Sequence, residues 1–345
     1  MSATTLGLAA GVIPWSWAAD RIGRIAAMRW SLVAAVVCGL AAALMPTFEL
    51  IVAFRTVEGL ALAGLPAIAV TYLQEEVRRE HSALAAGTYV SGTTIGGLLG
   101  RIVAAPIAHE WDWRAGVATV VIIAAASTAV FIVLTPTPQG FRRHARGTGA
   151  SLFRLVTRHL RSRVMLALFA QAFLLMGGFV TVYNYLAFHL RDEPFSLSPT
   201  ITSLLFFAYL AGTWSSRKAG SLADRVGRFP ALLIATAVMG GGLALTLAPH
   251  IAWILIGLVL FTLGFFAAHA VATGWTSYAA STGRSQATSL YNFFYYLGSS
   301  VVGWAGGLVF LAIGWPGTVL GVGALLVGAM AIAALALRPT RESQQ

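Results

Sequence analysis

The sequence has little charge and only one cysteine. Charged residues make up 10% of the 345 residues, against about 25% in an average soluble protein. The single cysteine, Cys38, excludes a framework of disulfide bonds. Hydrophobic residues make up 58% and the mean hydropathy is +0.78, which excludes a disordered chain and a coiled coil. We therefore interpret the chain as a polytopic membrane protein.

Lysine is also nearly absent, since Lys218 is the only lysine among the 23 basic residues. The net charge of +11 suits a nucleic-acid-binding protein only if the arginines form one basic surface. Instead 18 arginines and Lys218 lie in one alternate set of short gaps between long apolar runs, and two arginines lie in the opposite set. Arg55 and Arg101 lie within the runs. The positive-inside rule predicts that the arginine-rich loops and the carboxyl terminus are cytoplasmic.

Apolar runs long enough to cross a membrane as helices recur along the chain. They are continuous and do not alternate in short segments, so strands are not expected. The eleven predicted helices span residues 3–19, 27–45, 49–73, 83–106, 114–134, 164–188, 200–217, 229–248, 250–274, 286–311 and 315–337.

A long polar stretch divides these helices into two groups. We predict an amino-terminal bundle over 1–134, a cytoplasmic linker over 135–163, a carboxyl-terminal bundle over 164–338 and a cytoplasmic tail over 339–345. Within the linker, Leu152 to Leu160 has the pattern of a short amphipathic helix that lies on anionic headgroups. The seven arginines of the linker favour the alternative of a solvated connector.

The two groups contain an internal repeat. The sequence Ala-Asp-Arg-Ile-Gly-Arg at 19–24 recurs as Ala-Asp-Arg-Val-Gly-Arg at 223–228, and three further matches follow in order. These are Pro46 with Pro249, Gly59 with Gly264, and Trp113 with Trp315. The repeat predicts a duplicated six-helix unit, as in many secondary transporters, with the substrate site between the halves. Helix 164–188 has no partner in the first copy, so we expect about one further helix upstream of Met1.

These motifs resemble those of the major facilitator superfamily. The most specific is the doubled Asp-Arg-x-Gly-Arg turn at 20–24 and 224–228. Others are Arg55-x-x-Glu58-Gly59 and the glycine-rich run over 92–100, which is followed by Arg101 where the antiporter signature has proline. The segments 183–186 and 291–298 are similar to bacterial inner-membrane sugar-efflux or multidrug permeases.

The resemblance implies an all-α, two-bundle fold of six plus six helices minus the first. It also implies a secondary active transporter that works by alternating access, with proton-coupled efflux of a small molecule across the bacterial inner membrane. We expect a monomer in the lipid membrane, with protons as the coupling ion and no nucleic-acid partner. An uncoupled facilitator and a truncated, non-transporting receptor or partner protein are the alternatives. No phosphate-binding loop, metal-ligand cluster or nucleophile–base pair stands out, so we predict neither an enzyme nor a cofactor or metal.

The doubled turn is the first predicted functional element. The resemblance implies that it is a conformational latch between open and closed states, and the alternative is a charged loop that only fixes topology. Its glycines allow the sharp turn between consecutive helices. The latch residues are Asp20, Arg21, Gly23, Arg24, Asp224, Arg225, Gly227 and Arg228.

Charges inside predicted helices are the second element. Arg55 and Glu58 lie three residues apart on one helical face and can pair. Because charge in a membrane helix is costly unless it is paired or hydrated, Glu58 is a candidate proton carrier. The alternative is a static ion pair. Arg101 is predicted either to neighbour the same cavity or to bind a carbonyl across a close helix contact made by Gly92, Gly96 and Gly100. Gly303 and Gly307 predict a second close contact.

Aromatic residues with a few polar groups are the third element, because a substrate cavity is built from such side chains. Any one such residue more often serves helix packing or an interfacial belt, so we expect about a third of them to line the cavity. The predicted cavity residues are Tyr183, Asn184, Tyr185, His269, Tyr291, Asn292 and Tyr295.

Overall fold

The structure is a computed structural model that describes residues 2–77, 82–136 and 152–338. Within these ranges all regular structure is helical, as the composition predicts. The chain divides into two compact units, Met1–Ala150 and Ser151–Gln345. The division falls inside the predicted linker, 135–163, of which 137–151 lies outside the described residues. The predicted tail, 339–345, lies outside them as well.

The described residues of the first unit form six helices. Thr47 and Asp112 cap two of them, because their side chains accept from Leu50 N (3.4 Å) and Ala115 N (2.7 Å). The predicted span 49–73 is two helices that meet at Ala63. The helices are α1 (Ser2–Ile22), α2 (Arg24–Leu44), α3 (Phe48–Leu62), α4 (Gly64–Glu76), α5 (Ser82–Glu110) and α6 (Trp113–Leu134).

In the second unit, residues 152–338 form seven helices and one 3-10 turn, Leu204–Phe207. Its last helix holds two predicted spans and is broken at Gly314, where φ is 74° and ψ is −159°. The helices are α7 (Leu152–Leu160), α8 (Arg163–His189), α9 (Pro199–Ser203), α10 (Ala208–Val226), α11 (Arg228–Leu245), α12 (Ile251–Ala279) and α13 (Arg284–Ala336).

The same helix pairs pack together in both units. In the first unit α3 packs on α1 and α2, and α2 packs on α6. In the second unit α12 packs on α10 and α11, and α11 packs on α13. The sequence repeat therefore extends to the packing, while α8, the helix without a partner in the first copy, packs on α13 and α12.

In each unit, a side chain from the last span donates a hydrogen bond to a backbone carbonyl at the end of an equivalent helix. Arg114 Nη1 donates to Ala43 O (2.8 Å) and to Met45 O (2.9 Å) at the end of α2. Trp315 Nε1 donates to Thr246 O (3.0 Å) at the end of α11. Ala43 and Thr246 are 203 residues apart, the offset that also relates Pro46 to Pro249.

Seven of the described helical stretches are long and apolar enough to cross a membrane. They are 24–44, 48–69, 113–134, 163–189, 228–245, 251–279 and 286–336, the last of which contains both spans of α13. The predicted spans at α1, α5 and α10 are helical but are not among the seven, because small and polar residues or charges interrupt them. The chain is thus a multi-pass membrane protein, and the regular structure of its described part is helical.

One of the two predicted glycine contacts is confirmed. A Cβ at Gly303 would lie 3.2 Å from Val180 Cγ1, and one at Gly307 would collide with the Tyr185 hydroxyl, so α8 and α13 approach closely. On α5, no described atom lies within 4 Å of a Cβ at Gly92 or Gly96, whereas a Cβ at Gly100 would lie 3.8 Å from Val120 Cγ1 of α6.

Candidate functional site

The two Asp-Arg-x-Gly-Arg turns share one backbone geometry. Gly23 has φ 96° and ψ 151°, and Gly227 has φ 88° and ψ 154°. In each turn the glycine amide donates to the alanine four residues earlier, Ala19 at 3.1 Å and Ala223 at 2.9 Å. Residues with a side chain rarely adopt these angles, so glycine is needed at both places.

In the first turn, Arg24 forms a buried ion-pair cluster. Its Nη1 lies 2.6 Å from Asp20 Oδ1, while Nη2 and Nε donate to the two carboxylate oxygens of Glu75 at 3.0 and 3.2 Å. Arg24 is 8% exposed and stands beside a core that includes Met28 and Ile68. Because the three residues come from α2, α1 and α4, the cluster fastens three helices at one end of the unit.

Glu75 is a site residue that sequence reasoning missed. It lies two residues beyond the predicted span 49–73, in a polar stretch that follows the apolar run. Glu75 could have been found from its place in the sequence. It is a carboxylate just after a span, on the same predicted membrane side as the arginine-containing turn. The neighbouring Arg21 places its guanidinium 3.5 Å from the ring centre of Trp17.

The second turn has the same backbone geometry, but its last arginine contacts an aromatic ring and not a carboxylate. Arg228, the counterpart of Arg24, places its guanidinium 3.7 Å from the ring centre of Tyr278 near the end of α12. Three ion pairs form among the described residues, and neither Asp224 nor Arg225 takes part in them. The two copies are therefore alike in geometry and different in electrostatics.

Arg55 and Glu58 pair as their spacing predicts. Arg55 Nη1 lies 2.7 Å from Glu58 Oε2 within α3. The side chain of Arg55 is 35% exposed and that of Glu58 is 14% exposed, so the carboxylate is the more buried partner. The other carboxylate oxygen of Glu58 faces α2, since a Cβ at Gly39 would lie 3.2 Å from it and 3.0 Å from Val121 Cγ2 of α6. Glu58 thus stands where three helices of the first unit converge.

Arg101 has a local hydrogen bond. Its Nη1 donates to Gly97 O (3.2 Å), one turn earlier in the same helix. This hydrogen bond is a carbonyl contact of Arg101 within α5.

Four predicted cavity residues belong to one aromatic cluster of the second unit. His269 Nδ1 lies 3.0 Å from the Tyr291 hydroxyl, and the His269 ring lies 4.8 Å from that of Tyr295. Tyr183 joins the same cluster through Phe179, whose ring centre lies 4.7 Å away. The Tyr183 hydroxyl lies 2.7 Å from Thr262 Oγ1.

Phe179, Phe265 and Tyr209 also belong to this aromatic cluster, and sequence reasoning missed them. The ring of Phe179 lies 3.9 Å from Phe265 and 5.6 Å from Tyr209, and Phe265 stacks on His269 at 5.8 Å. Two spacings signal these residues: Phe179 and Tyr183 on α8, and Phe265 and His269 on α12, each four apart on one helical face.

The remaining predicted cavity residues are not seen in this cluster. The Tyr185 hydroxyl donates to Gly303 O (2.9 Å), and its ring stacks on Phe310 at 5.4 Å, so it packs between α8 and α13. Asn184 Nδ2 lies 3.8 Å from the Cβ position of Gly303. Asn292 is half-buried on α13, next to Tyr291 in the chain.

The sequence matches the profile of the Major Facilitator Superfamily over residues 1–303. The chain belongs to the major facilitator superfamily. It is 39% identical over 338 residues to the inner membrane transport protein YnfM of Escherichia coli, with 97% of this chain and 79% of the relative covered. It is 35% identical over 319 residues to an uncharacterized MFS-type transporter, YybF, of Bacillus subtilis, covering 92% and 79% of the two chains. These similarities support membrane transport of a small molecule.

A more distant relative carries a substrate in its name. The cis,cis-muconate transport protein of Acinetobacter baylyi is 26% identical over 237 residues, which cover 66% of this chain and 57% of that protein.

For the described residues, no group of three or more His, Cys, Asp or Glu side chains is arranged to hold a metal ion.

Proposed function

We propose that the chain is a secondary active transporter that exports a small molecule across the bacterial inner membrane by alternating access, with inward proton movement as the driving force. Membership of the superfamily and the similarity to named transporters support transport. The observation that carries the proton coupling is the Arg55–Glu58 pair.

Glu58 has the properties of a proton carrier. A carboxylate in a membrane helix is costly to keep charged without a partner, and here a single arginine at 2.7 Å partners one carboxylate oxygen. Protonation removes the attraction to Arg55 and changes the contact of Glu58 with α2 beside Gly39. A change in the relative stability of two conformations follows, and that is the step that coupling needs.

The doubled turn is proposed as the latch that sets the balance between these conformations. In the first copy, Arg24 links Asp20 and Glu75, so the ion pairs resist separation of three helix ends. In the second copy, Gly227 and Arg228 keep the turn while Arg228 stacks on Tyr278. Loss of a latch shifts the populations of the conformations and leaves the binding residues in place.

The aromatic cluster is proposed to contact the substrate. Its apolar rings with a few polar groups suit an organic molecule that has both an apolar body and a polar group. The muconate named for the A. baylyi relative is a molecule of this kind and serves as one probe. Ethidium serves as a second probe, because the sequence resembles multidrug permeases.

Transport in proteoliposomes tests the proposal. The full chain is reconstituted, and fluxes of cis,cis-muconate and ethidium are measured with and without an imposed pH gradient. We expect at least one flux to depend on the gradient and to lose that dependence in Glu58→Gln. Glu49→Gln is the matched control, because Glu49 lies in the first turn of the same helix, away from Arg55.

Two outcomes favour the alternatives. Flux that is independent of the gradient in the unaltered chain indicates an uncoupled facilitator. Saturable probe binding without any flux indicates a receptor or partner protein.

A further inference from the structure

Helix α7 carries three arginines around a cavity. The cavity has a volume of about 490 Å³ and is lined by Arg154, Thr157, Arg158, Arg161 and Ser162. The lining positions 154, 157, 158 and 161 follow the spacing of one helical face. We propose that this cavity binds the phosphate group of an anionic phospholipid.

The opposite side of α7 is fixed to the protein. His159 is 4% exposed, and its Nε2 lies 3.1 Å from Gly283 O in the loop between α12 and α13. Leu155 Cδ2 lies 3.3 Å from the Cβ position of Gly283. On the lining face itself, Arg158 Nη1 donates to Thr282 Oγ1 at 3.1 Å. Because these contacts hold the helix in place, the arginine face is presented before a ligand arrives, which lowers the entropic cost of binding.

The lining side chains select a phosphate group. The described lining residues supply three guanidinium groups and two hydroxyls, and these described residues include no carboxylate. A guanidinium donates two parallel hydrogen bonds to a pair of phosphate oxygens, and its charge does not depend on pH in the physiological range. Three such groups around one cavity match a phosphodiester and offer nothing to the ammonium group of a zwitterionic lipid.

The position of the cavity favours a lipid as the source of the phosphate. Ser162 lines the cavity and caps α8, and α8 begins at Arg163 as a predicted membrane span. The cavity therefore lies at the level where a span enters the membrane. The arginine count predicts that this side is cytoplasmic, where anionic headgroups attract basic segments.

Lipid binding to the purified full chain tests this proposal. Native mass spectrometry in a neutral detergent measures binding of phosphatidylglycerol, phosphatidylcholine and inorganic phosphate. The test variant combines Arg154→Gln, Arg158→Gln and Arg161→Gln. A control variant combines Arg217→Gln, Lys218→Gln and Arg338→Gln. It also removes three positive charges, but from residues outside the cavity lining. A thermal unfolding scan checks that both variants fold.

The expected result is a loss of phosphatidylglycerol binding in the test variant only. Each arginine near an anionic surface contributes about fivefold to affinity, so three contribute about 100-fold. The control variant is expected to stay within about threefold of the unaltered chain. A further variant with lysine at positions 154, 158 and 161 is expected to bind with intermediate affinity, because lysine keeps the charge and loses the paired hydrogen bonds.

Four results overturn the proposal. Equal phosphatidylglycerol binding by the test variant and the unaltered chain excludes the site, and an equal loss in the control variant shows a general effect of charge. Phosphatidylcholine binding as tight as phosphatidylglycerol binding shows that headgroup charge is not recognised. Inorganic phosphate binding as tight as the lipid assigns the cavity to a soluble anion.

Discussion

Replacing Glu75 with glutamine tests whether the ion pairs of Arg24 hold the first unit together. The change keeps the size of the side chain and removes the negative charge of the carboxylate. That carboxylate accepts two hydrogen bonds from Arg24, at 3.0 and 3.2 Å. Arg24 keeps Asp20 as a partner at 2.6 Å. The expected loss of stability is therefore smaller than for an arginine left without any carboxylate.

Burial sets the size of the effect. Removing one partner of a fully buried ion pair costs about 3–5 kcal/mol, and an exposed pair is worth about 0–1 kcal/mol. The side chain of Arg24 is 9% exposed and that of Glu75 is 28% exposed, so we expect a loss of about 2 kcal/mol for Glu75→Gln. Asp20 is 43% exposed, and Asp20→Asn is expected to cost about 1 kcal/mol.

The free energy of unfolding in mixed micelles, measured by denaturant titration, checks these values. Asp224→Asn is the matched control, because Asp224 has the same place in the second turn and takes no part in the three ion pairs of the described residues. It is expected to change stability by less than about 0.5 kcal/mol. Equal effects of Asp20→Asn and Asp224→Asn, or a Glu75→Gln variant as stable as the unaltered chain, would refute the reasoning.

Three further predictions concern stability in the same assay. Gly227→Ala is expected to cost about 1–2 kcal/mol, because alanine is strained at φ 88°; a variant as stable as the unaltered chain would contradict this. Gly298→Ala is expected to destabilise by more than 2 kcal/mol, since its Cβ would overlap the backbone of α8, whereas Gly96→Ala is expected to be neutral or stabilising by up to about 1 kcal/mol. The reverse order of these two variants would be inconsistent with the packing. Tyr183→Phe removes the hydrogen bond to Thr262 and is expected to cost about 1 kcal/mol, with no change refuting a role for that bond.

Much of the fold follows from the sequence, because lipid imposes simple rules. Long apolar runs must be helical in a membrane, so the positions of most helices were predictable to within a few residues. The doubled turn predicted two equivalent glycines, and Gly23 and Gly227 have nearly equal backbone angles. The Arg55–Glu58 pair was also predictable, since it depends only on a spacing within one helix.

Contacts between helices were harder to predict, because they depend on which faces meet. Glu75 is far from Arg24 in sequence, and only the approach of α4 to α2 makes it a partner. The glycine run on α5 has the spacing of a close contact, yet no described atom is near Gly92 or Gly96. Tyr183 and Tyr185 are only two residues apart, but they lie on different faces of α8 and meet different helices. A sequence pattern shows which residues share one face of a helix, but it does not show which helix packs against that face.

Substrate-driven proton movement tests the central claim most directly. Proteoliposomes that hold a pH-sensitive dye and an outward gradient of a transported probe report whether export of the probe draws protons inward. We expect internal acidification with the unaltered chain and with Glu49→Gln, and none with Glu58→Gln. Acidification by Glu58→Gln at the rate of the unaltered chain would contradict the assignment of Glu58 as the proton carrier.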